Sequence, residues 1–398
     1  MIRVTNKPQF VGERVRLGKL LLDTFSGEWG TEEGESLTPV LRTSNFNEDG
    51  SLDYSTPAMR CIPERKVAKK RMVRGDIILE KSGGTPKRPV GIMAFYDSDE
   101  LALCSNFNQV LRFDEDRILS RFAFHQLRWL KDRNAFERFT RKTTGLQNLQ
   151  MKKLIELKLH VPQIEAQTMI ADTLDKIVDN QRTLQREIID LDSLVKSRFV
   201  EMFGDPIRRP KWPTKSLRRL CTKLGSGATP RGGKAAYKER GIPLVRSMNV
   251  HNGRFVRDDL AYIDSDQAEK LRNVTLEKAD VLLNVTGASV ARSCVLPDEL
   301  EGGRVNQHVA IIRASKNELL PCVLNAALIN DSYQQYLLDG ARMSGATREA
   351  ITKQDLENMH VPVPPIALQQ EFADFVTQVD KSRFVDGGDE VGEFLLSR

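Results

Sequence analysis

The chain has 398 residues, and 40% of them are hydrophobic, which is enough for more than one folded core. Its 60 basic residues are nearly balanced by 54 acidic ones, so the net charge of +6 permits a polyanionic partner without requiring one. The five cysteines are scattered without a C-x-x-C pair, and no apolar run has the length of a signal-peptide core or a membrane span. These features argue against a disulfide-rich secreted domain and a membrane protein, and they predict a reduced, cytoplasmic chain without structural zinc.

The first part of the chain recurs in the second. Three segments reappear in the same order at offsets of 202 to 204 residues: 39–45 (PVLRTSN) at 243–249 (PLVRSMN), 75–79 (GDIIL) at 279–283 (ADVLL), and 159–164 (LHVPQI) at 361–366 (VPVPPI). Ordered matches of this kind indicate an internal duplication. A duplication can be purely structural, with two copies sharing an interface, but modules joined by a spacer more often serve bivalent binding, which we favour.

Each copy combines short strands with a few helices. Runs rich in β-branched residues, such as 76–79 and 305–313, stand between Gly, Pro, Asn and Asp turns, which is typical of strands. Segments 121–139 and 321–338 have helical patterns. We expect an α+β fold with two tandem, mixed, β-rich domains separated by long coiled-coil helices, in a pseudo-twofold internal repeat. The predicted boundaries are 1–160 (first domain), 161–206 (helical spacer), 207–360 (second domain) and 361–398 (C-terminal helix).

A long helix is predicted after the first copy. Residues 165–203 contain neither Gly nor Pro and would form a helix about 58 Å long at 1.5 Å per residue. The sequence Gly204-Asp205-Pro206 would end it. Apolar residues spaced alternately by four and three, with one interruption at Gln181, predict a coiled-coil seam. The seam residues are Ile170, Leu174, Ile177, Leu184, Ile188, Leu191 and Val195.

The tail of the second copy is shorter. Four apolar residues continue the alternate spacing there: Leu368, Phe372, Phe375 and Val379. This tail is the expected partner of the long helix, and Asp386-Gly387-Gly388-Asp389 should end it early. A naturally short tail and truncation of a longer ancestor both explain the difference, and we favour truncation. A second copy of the chain could complete the short tail, which predicts a homodimer through the same four residues.

Taken in order, these motifs resemble the specificity subunit of Type I restriction-modification systems over residues 14–381. In that family each target-recognition domain precedes a conserved helical region that opens with a Pro-rich strand and a Gln, as in 361–370 (VPVPPIALQQ). Two further segments are similar to the family: 203–206 (FGDP), at the end of the long helix, and 224–230 (LGSGATP), at the start of the second domain.

The resemblance implies an assembly in which this chain reads DNA and others perform the chemistry. Two target-recognition domains, held apart and inverted by an antiparallel helical pair, would each read half of a bipartite double-stranded DNA site. The helices would dock methyltransferase (M) subunits, which flip and methylate adenine with S-adenosylmethionine. Restriction motor-nuclease (R) subunits, which use ATP and Mg, would cleave unmodified DNA. This chain would be non-catalytic, with no cofactor or metal of its own.

Enzyme motifs are incomplete in the sequence itself. Segment 227–235 (GATPRGGKA) lacks the first glycine and the hydroxyl residue of a phosphate loop. Asp76 with Glu80 and Lys81 lacks the carboxylate-x-Lys spacing of a metal-dependent nuclease, and 363–366 (VPPI) lacks the polar and aromatic residues of an adenine methyltransferase. An autonomous nuclease or methyltransferase is therefore the weakest reading. A non-catalytic protein scaffold with degenerate recognition domains is the other alternative to a DNA reader.

Loops rich in Arg, Lys, Asn, Ser, Thr and Gly are the candidates for DNA contact, because such side chains pair with phosphates and base edges and glycine permits close backbone approach. In the first domain they are Trp29, Arg42, Thr43, Asn45, Lys81, Ser82, Gly83, Gly84, Lys87 and Arg88. In the second they are Thr229, Arg231, Arg246, Ser247, Asn249, Asn284, Thr286, Ser289, Arg292, Asn306, Gln307 and His308. The alternatives are an ordinary turn at 81–88, a structural strand end at 42–45 and 246–249, and a strand cap at 306–308.

Overall fold

The computed structural model describes residues 12–85, 88–142, 146–343 and 350–385. The chain forms two compact units, unit 1 up to Asn180 and unit 2 from Gln181. The candidate contact residue Lys87 and the predicted helix break at 386–389 lie outside the described residues. Within the described part of the chain, no helix has both the length and the hydropathy that a bilayer span requires.

Unit 1 alternates short strands with helices and ends in the first part of a long helix. Its strands are β1 (Glu13–Arg16), β2 (Leu21–Ser26), β3 (Leu37–Leu41), β4 (Ala58–Cys61), β5 (Ile77–Glu80), β6 (Ser82–Gly84), β7 (Met93–Phe95), β8 (Leu103–Cys104), β9 (Asn108–Phe113), β10 (Thr140–Lys142), β11 (Gln147–Leu149) and β12 (Lys158–Val161). Its helices are α1 (Glu64–Lys70), α2 (Ser120–Asp132), α3 (Met151–Leu154) and the long α4 (Ile164–Phe203), which continues into unit 2.

Unit 2 has a similar order of elements. Its strands are β13 (Gly204–Asp205), β14 (Arg209–Pro210), β15 (Thr214–Ser216), β16 (Cys221–Ser226), β17 (Ile242–Val245), β18 (Val250–His251), β19 (Arg254–Phe255), β20 (Ala261–Ile263), β21 (Val281–Asn284), β22 (Ser293–Val295), β23 (Arg304–Val305), β24 (Val309–Ala314) and β25 (His360–Pro362). Its helices are α5 (Leu217–Leu220), α6 (Ser265–Lys270), α7 (Pro321–Leu328), α8 (Asp331–Met343), α9 (Lys353–Asn358) and α10 (Ile366–Val385).

Each unit is built around a four-stranded antiparallel sheet. The strand order is β2-β9-β5-β7 in unit 1 and β16-β24-β21-β22 in unit 2. The central strands β5 and β21 are buried at every position, because both faces of each sheet are covered. In β5, Ile77 and Leu79 belong to the core that includes α2, whereas Ile78 belongs to the core that includes the end of β3. This alternation follows from the two-residue period of a strand.

A three-stranded mixed sheet completes each domain. Strand β3 pairs antiparallel with β4 and parallel with β8, and β17 pairs in the same way with β20 and β23. The registers also agree: Val40 lies opposite Leu103 in unit 1, and Leu244 lies opposite Arg304 in unit 2. The predicted fold, two tandem α+β domains with a long helix after the first, is therefore confirmed.

One predicted helix of unit 2 is divided. The pattern over 321–338 forms two helices, α7 and α8, instead of one. The Asn330 side chain accepts a hydrogen bond from the Ser332 N–H and so caps the start of α8. A short polar side chain at this position competes with the continuing helix and favours a new start.

A buried glutamine ties each helical tail to its domain. Gln167 in α4 and Gln369 in α10 are both fully buried. The first accepts a hydrogen bond from the Leu119 N–H and donates to the carbonyls of Arg117 and Pro162. The second makes the equivalent bonds with Leu320, Glu318 and Pro364. The repeated Pro-rich strand followed by Gln is therefore a structural motif that satisfies three backbone groups at once.

The end of α4 packs against α10 within unit 2. The rings of Phe199 and Phe203 lie 5.8 and 5.5 Å from the ring of Phe372, centroid to centroid. The Arg198 guanidinium pairs with Glu371 at 2.8 Å. Helix α4 then ends as predicted at Gly204, whose φ of +80° is unfavourable for residues with a side chain.

The predicted heptad seam is only partly covered. Ile170 and Ile177 are exposed, at 38% and 47%. The other seam residues are half-buried: Leu174, Leu184, Ile188, Leu191 and Val195. The fully buried hydrophobic residues of α4 lie outside the seam, at Ala171, Phe199 and Phe203, because these positions face the domain cores.

The apolar residues of α10 face their own chain. Phe372 is fully buried and Val379 is 5% exposed. Leu368 packs against the core of unit 2, and the Arg198 guanidinium lies 5.9 Å from the ring centre of Phe375. Phe372 and Val379 are thus covered within the unit, whereas Leu368 and Phe375 are half-buried, and the homodimer through these four residues stays a prediction.

A buried ion pair fixes the same strands in both units. Asp76 and Asp280 are fully buried, and each accepts two hydrogen bonds from one guanidinium, that of Arg112 or Arg313. Each aspartate also accepts a backbone N–H from the turn before it. Both oxygens of each carboxylate are thus satisfied, and Asp76 is a structural residue instead of the metal ligand of a nuclease.

We expect Gln369→Leu to lower the free energy of unfolding by about 2–4 kcal/mol, because three backbone groups lose their buried partner. The midpoint of urea unfolding measures this. Gln370→Leu is the matched control: Gln370 is exposed, and within the described part of the chain its side chain bonds Asp374 on its own helix, so its loss should cost under about 0.5 kcal/mol. Equal midpoints for the two variants would refute the structural role of Gln369.

Arg313→Met should cost about 3 kcal/mol, because it leaves the Asp280 carboxylate buried without its cation. Asp280→Asn combined with Arg313→Met should recover part of that loss, since no buried charge is then left unpaired. Urea unfolding of the two variants tests both statements. A double variant that is no more stable than Arg313→Met alone contradicts the explanation.

Candidate nucleic-acid interface

Several strand ends meet at one edge of unit 1. Strands β2 and β5 both run antiparallel to β9, so they end on the side where β9 begins. Strands β3 and β8 are parallel neighbours, so they also end together. Loops that follow such strand ends form the walls of a cleft of about 370 Å³. Its lining residues are Trp29, Arg42, Thr43, Ser44, Glu80, Ser82, Gly83, Arg88, Ser105, Asn106 and Phe107.

The cleft brings together predicted contact residues from three separate segments. Trp29 follows β2, Arg42 and Thr43 follow β3, and Ser82, Gly83 and Arg88 follow β5. These segments are far apart in the chain, so only the tertiary fold makes them neighbours. Lys81 lies beside them, and its Nζ donates a hydrogen bond to Ser26 Oγ at 2.5 Å. Burial lowers the pKa of Lys81 below its ordinary value.

Cations and aromatic rings line the cleft. The Arg60 guanidinium lies 4.0 Å from the ring centre of Trp29, and Phe107 is 54% exposed. The Arg42 guanidinium donates to the Thr56 carbonyl at 2.9 Å, and Arg88 is half exposed. Such a surface offers stacking planes for bases and donors for phosphates or guanine.

Glu80 is a member of the cleft that the sequence reasoning did not select. It is the last residue of β5 and is 1% exposed. Its Oε1 accepts a hydrogen bond from Arg88 at 2.6 Å, whereas Oε2 has no hydrogen-bond partner among the described residues. Burial raises the pKa of Glu80, and the nearby Arg88 opposes this effect. The sequence signal that could have identified Glu80 is a carboxylate at the end of an otherwise apolar strand, directly before Lys81.

The corresponding edge of unit 2 carries different side chains. Asn284 ends β21 as Glu80 ends β5. Thr286 Oγ1 lies 2.5 Å from His308 Nδ1, His308 Nε2 lies 3.0 Å from the Gln307 amide, and the Thr229 hydroxyl donates to Gln307. This group of predicted residues therefore forms a hydrogen-bonded polar chain.

Arginines border the edge of unit 2. The Arg246 guanidinium lies 5.5 Å from the ring centre of Tyr237 and donates to the Asp259 carbonyl. Arg231 is exposed on the loop after β16, and Arg292 is half-buried on the turn before β22. Ser247 and Ser289 are half-buried beside the buried Asn284, which donates to both.

Some predicted contact residues instead face inward. Asn45 and Asn249 are buried, accept a hydrogen bond from the N–H of Arg42 or Arg246, and donate to backbone carbonyls. These two asparagines are therefore corrected to the structural strand-end role, because a buried amide that bonds its own backbone cannot reach a base. An asparagine occupies this position in each unit because the turn after β3 and the turn after β17 have the same hydrogen bonds.

Three further predicted residues are also buried. Gly84 has a backbone close to Val90, where a Cβ would lie 2.3 Å from the Val90 nitrogen. Asn306 is 7% exposed and accepts a hydrogen bond from the His308 N–H, so it caps the strand end. The Asn284 amide holds the loop at Ser247. Close packing and capping, instead of base contact, explain these residues.

Among the residues that the structure describes, no group of three or more His, Cys, Asp or Glu is arranged to hold a metal ion. The polar groups at the two edges are mainly arginines, amides and hydroxyls. Their chemistry is that of hydrogen bonding to phosphates and base edges.

Comparisons with known proteins agree with this organisation. The family model of the Type I restriction modification DNA specificity domain matches residues 38–191 and 210–384. The chain is 22% identical over 358 residues to the specificity subunit of the Type I restriction enzyme MjaX assigned in Methanocaldococcus jannaschii, covering 86% of this chain and 80% of that protein. It is 20% identical over 297 residues to the Type I restriction enzyme EcoBI specificity subunit of Escherichia coli, covering 68% of this chain and 60% of that protein.

The fold also has a solved counterpart. The crystal structure of the S subunit of a Type I restriction-modification system from M. genitalium superposes with a TM-score of 0.58 at 16% identity, covering 98% of this chain and 96% of that one. At this identity the likeness concerns the fold alone. The family model, however, accounts for most of both units, so the chain belongs to the family of Type I restriction-modification specificity subunits, with two DNA specificity domains in tandem.

Proposed function

We propose that this chain reads DNA for a Type I restriction-modification complex, that each unit contacts one half of a bipartite site, and that catalysis belongs to other subunits. The observation that carries the proposal is the duplicated strand-end edge. The same scaffold is built twice, but the edge of unit 1 carries Ser82 and Arg88 where the edge of unit 2 carries Thr286 and His308. Equal scaffolds with different contact residues suit two half-sites of different sequence.

The long helix supports the proposed docking of methyltransferase subunits. In its unit 1 part α4 exposes Met169 and Ile177, at 64% and 47%. In its unit 2 part it exposes Ile189 and Leu194, at 61% and 48%. Ile177 lies on one stripe of the helix with Ile170, which is 38% exposed, and an exposed apolar stripe of this kind is typical of protein interfaces. S-adenosylmethionine, ATP and Mg would then belong to the methyltransferase and motor-nuclease partners.

The alternative, a protein scaffold without DNA recognition, makes the opposite prediction about salt. Binding through phosphates releases counterions, so affinity for duplex DNA should fall steeply with salt concentration. We expect the complex of this chain with its methyltransferase subunits to select one split motif from random duplexes. Selection of no bipartite motif by that complex would reject the proposal in favour of the scaffold.

Substitutions in one unit should affect one half-site. We expect Arg88→Ala to weaken discrimination in one half of the motif and Arg231→Ala to affect the other half or its phosphates, by about 1–3 kcal/mol for a base contact. Arg272→Ala is the control, because Arg272 is 79% exposed and pairs with Glu269 outside the candidate edges. Competition binding against duplexes altered in each half measures this. Equal losses in both halves from Arg88→Ala would contradict the division of labour.

A further inference from the structure

The turn between β23 and β24 presents an exposed glutamine at the edge of unit 2. The turn consists of Asn306, Gln307 and His308, and the Val309 N–H closes it by donating to the Asn306 carbonyl at 3.2 Å. Gln307 is its exposed middle residue. Unit 1 has an equivalent turn between β8 and β9, and its exposed middle residue, Asn106, lines the cleft. A carboxamide therefore occupies the same position at both candidate edges.

The backbone of this turn is tied to two neighbouring segments of unit 2. The Asn306 N–H donates to the Val245 carbonyl at the end of β17, and the Ala228 N–H donates to the Val305 carbonyl, both at 3.0 Å. The loop after β16 also approaches the turn closely, since a Cβ at Gly227 would lie 2.2 Å from the Val305 oxygen. A turn supported in this way holds its middle side chain in place before a ligand arrives.

Two neighbouring side chains hold the Gln307 amide. The Thr229 hydroxyl donates to its Oε1, and its Nε2 donates to His308 Nε2 at 3.0 Å. His308 Nε2 is then an acceptor, so the imidazole proton is on Nδ1, which donates to Thr286 Oγ1 at 2.5 Å. Turning the amide over reverses the direction of these bonds but keeps their number. The amide is therefore held by one hydrogen bond at its oxygen and one at its nitrogen.

One acceptor and one donor of the amide remain for a ligand. A carboxamide has two lone pairs on its oxygen and two N–H groups, and the described neighbours Thr229 and His308 use one of each. On the major-groove edge adenine presents a donor beside an acceptor, its N6 amino group and N7. Guanine presents two acceptors there, cytosine one donor, and thymine one acceptor beside a methyl group. Adenine is thus the base that satisfies both remaining groups.

Resting on the proposed function, we propose that Gln307 is a specificity-determining residue that reads an adenine in the half-site of unit 2, donating to N7 and accepting from the N6 amino group. Thr229 and His308 are positioning residues: they fix the amide before DNA binds, so less side-chain entropy is lost on binding. Unit 1 has Phe107, which has no hydrogen-bonding group, in the turn position of His308. The amide of Asn106 is therefore supported differently, and this selection is assigned to unit 2.

The test uses the complex of this chain with its own methyltransferase subunits, and selection from random duplexes followed by sequencing as the readout. Gln307→Ala removes both amide groups, and we expect the preference for the A·T pair at one position of the unit 2 half-site to fall roughly tenfold to a hundredfold. Gln307→Glu offers acceptors alone, so the preference there should move towards C·G, whose cytosine presents an amino donor. The unit 1 half-site should be selected as before, which also shows that the variants are folded.

The positioning role of Thr229 has its own pair of variants. Thr229→Val removes the hydroxyl and keeps the shape, and it should lower the same A·T preference by about threefold to tenfold. Thr229→Ser keeps the hydroxyl and should retain the preference. Equal losses from the two variants contradict the positioning role.

Two matched controls separate this role from general effects on binding. Asn106→Ala changes the same turn position in unit 1 and should leave the A·T preference of unit 2 intact. Gln335→Ala removes an exposed amide that bonds Asp339 on its own helix, and it should leave the whole motif unchanged. A bipartite motif without an A·T pair that depends on Gln307, or with one that Asn106→Ala weakens equally, overturns this inference alone. Absence of any bipartite motif overturns the proposed function instead.

Discussion

The burial of one central strand on both faces governs the arrangement of each unit. Strands β5 and β21 have cores on either side, so none of their side chains along the strand reaches solvent. A strand covered in this way can present polar chemistry only where it ends. The contact candidates of both units lie at such ends, together with the loops that follow the neighbouring strands. The hydrophobic core therefore decides where the binding surface can be, while the loops decide what it contains.

The two units keep their scaffolds alike by repeating a few buried polar interactions. The Asp76 and Asp280 ion pairs fix the start of the central strand, and Gln167 and Gln369 fix the helical tails. Each of these side chains is fully buried, and each satisfies several hydrogen-bonding groups at once. Their loss leaves charges or backbone groups unpaired, so they tolerate little change. The loop residues at the edges are free of that constraint, which explains why the two edges differ in chemistry.

Helix α4 shows how far spacing alone can be interpreted. Its extent follows from the absence of Gly and Pro and from the break at Gly204. The heptad spacing describes which apolar residues share a stripe, but burial depends on what lies opposite. Phe199 and Phe203 are buried because they meet the core of unit 2 and Phe372, whereas Ile177 on the stripe is exposed. The pattern on one helix therefore predicts which face packs against another element, but it does not identify that element.

The sequence by itself determined the duplication, the α+β class, the long helix and the loops that carry polar contact chemistry, because these depend on local patterns and on order along the chain. Only the tertiary structure decided which of those polar residues reach solvent. Asn45 and Asn249 have the composition of contact residues, but their neighbours in space make them turn supports. Glu80 looked like an isolated near miss in sequence, and it became part of the cleft when β5 brought it beside segments from β2 and β3. Burial and proximity arise from packing between segments that are distant in the chain, so local sequence patterns do not predict them.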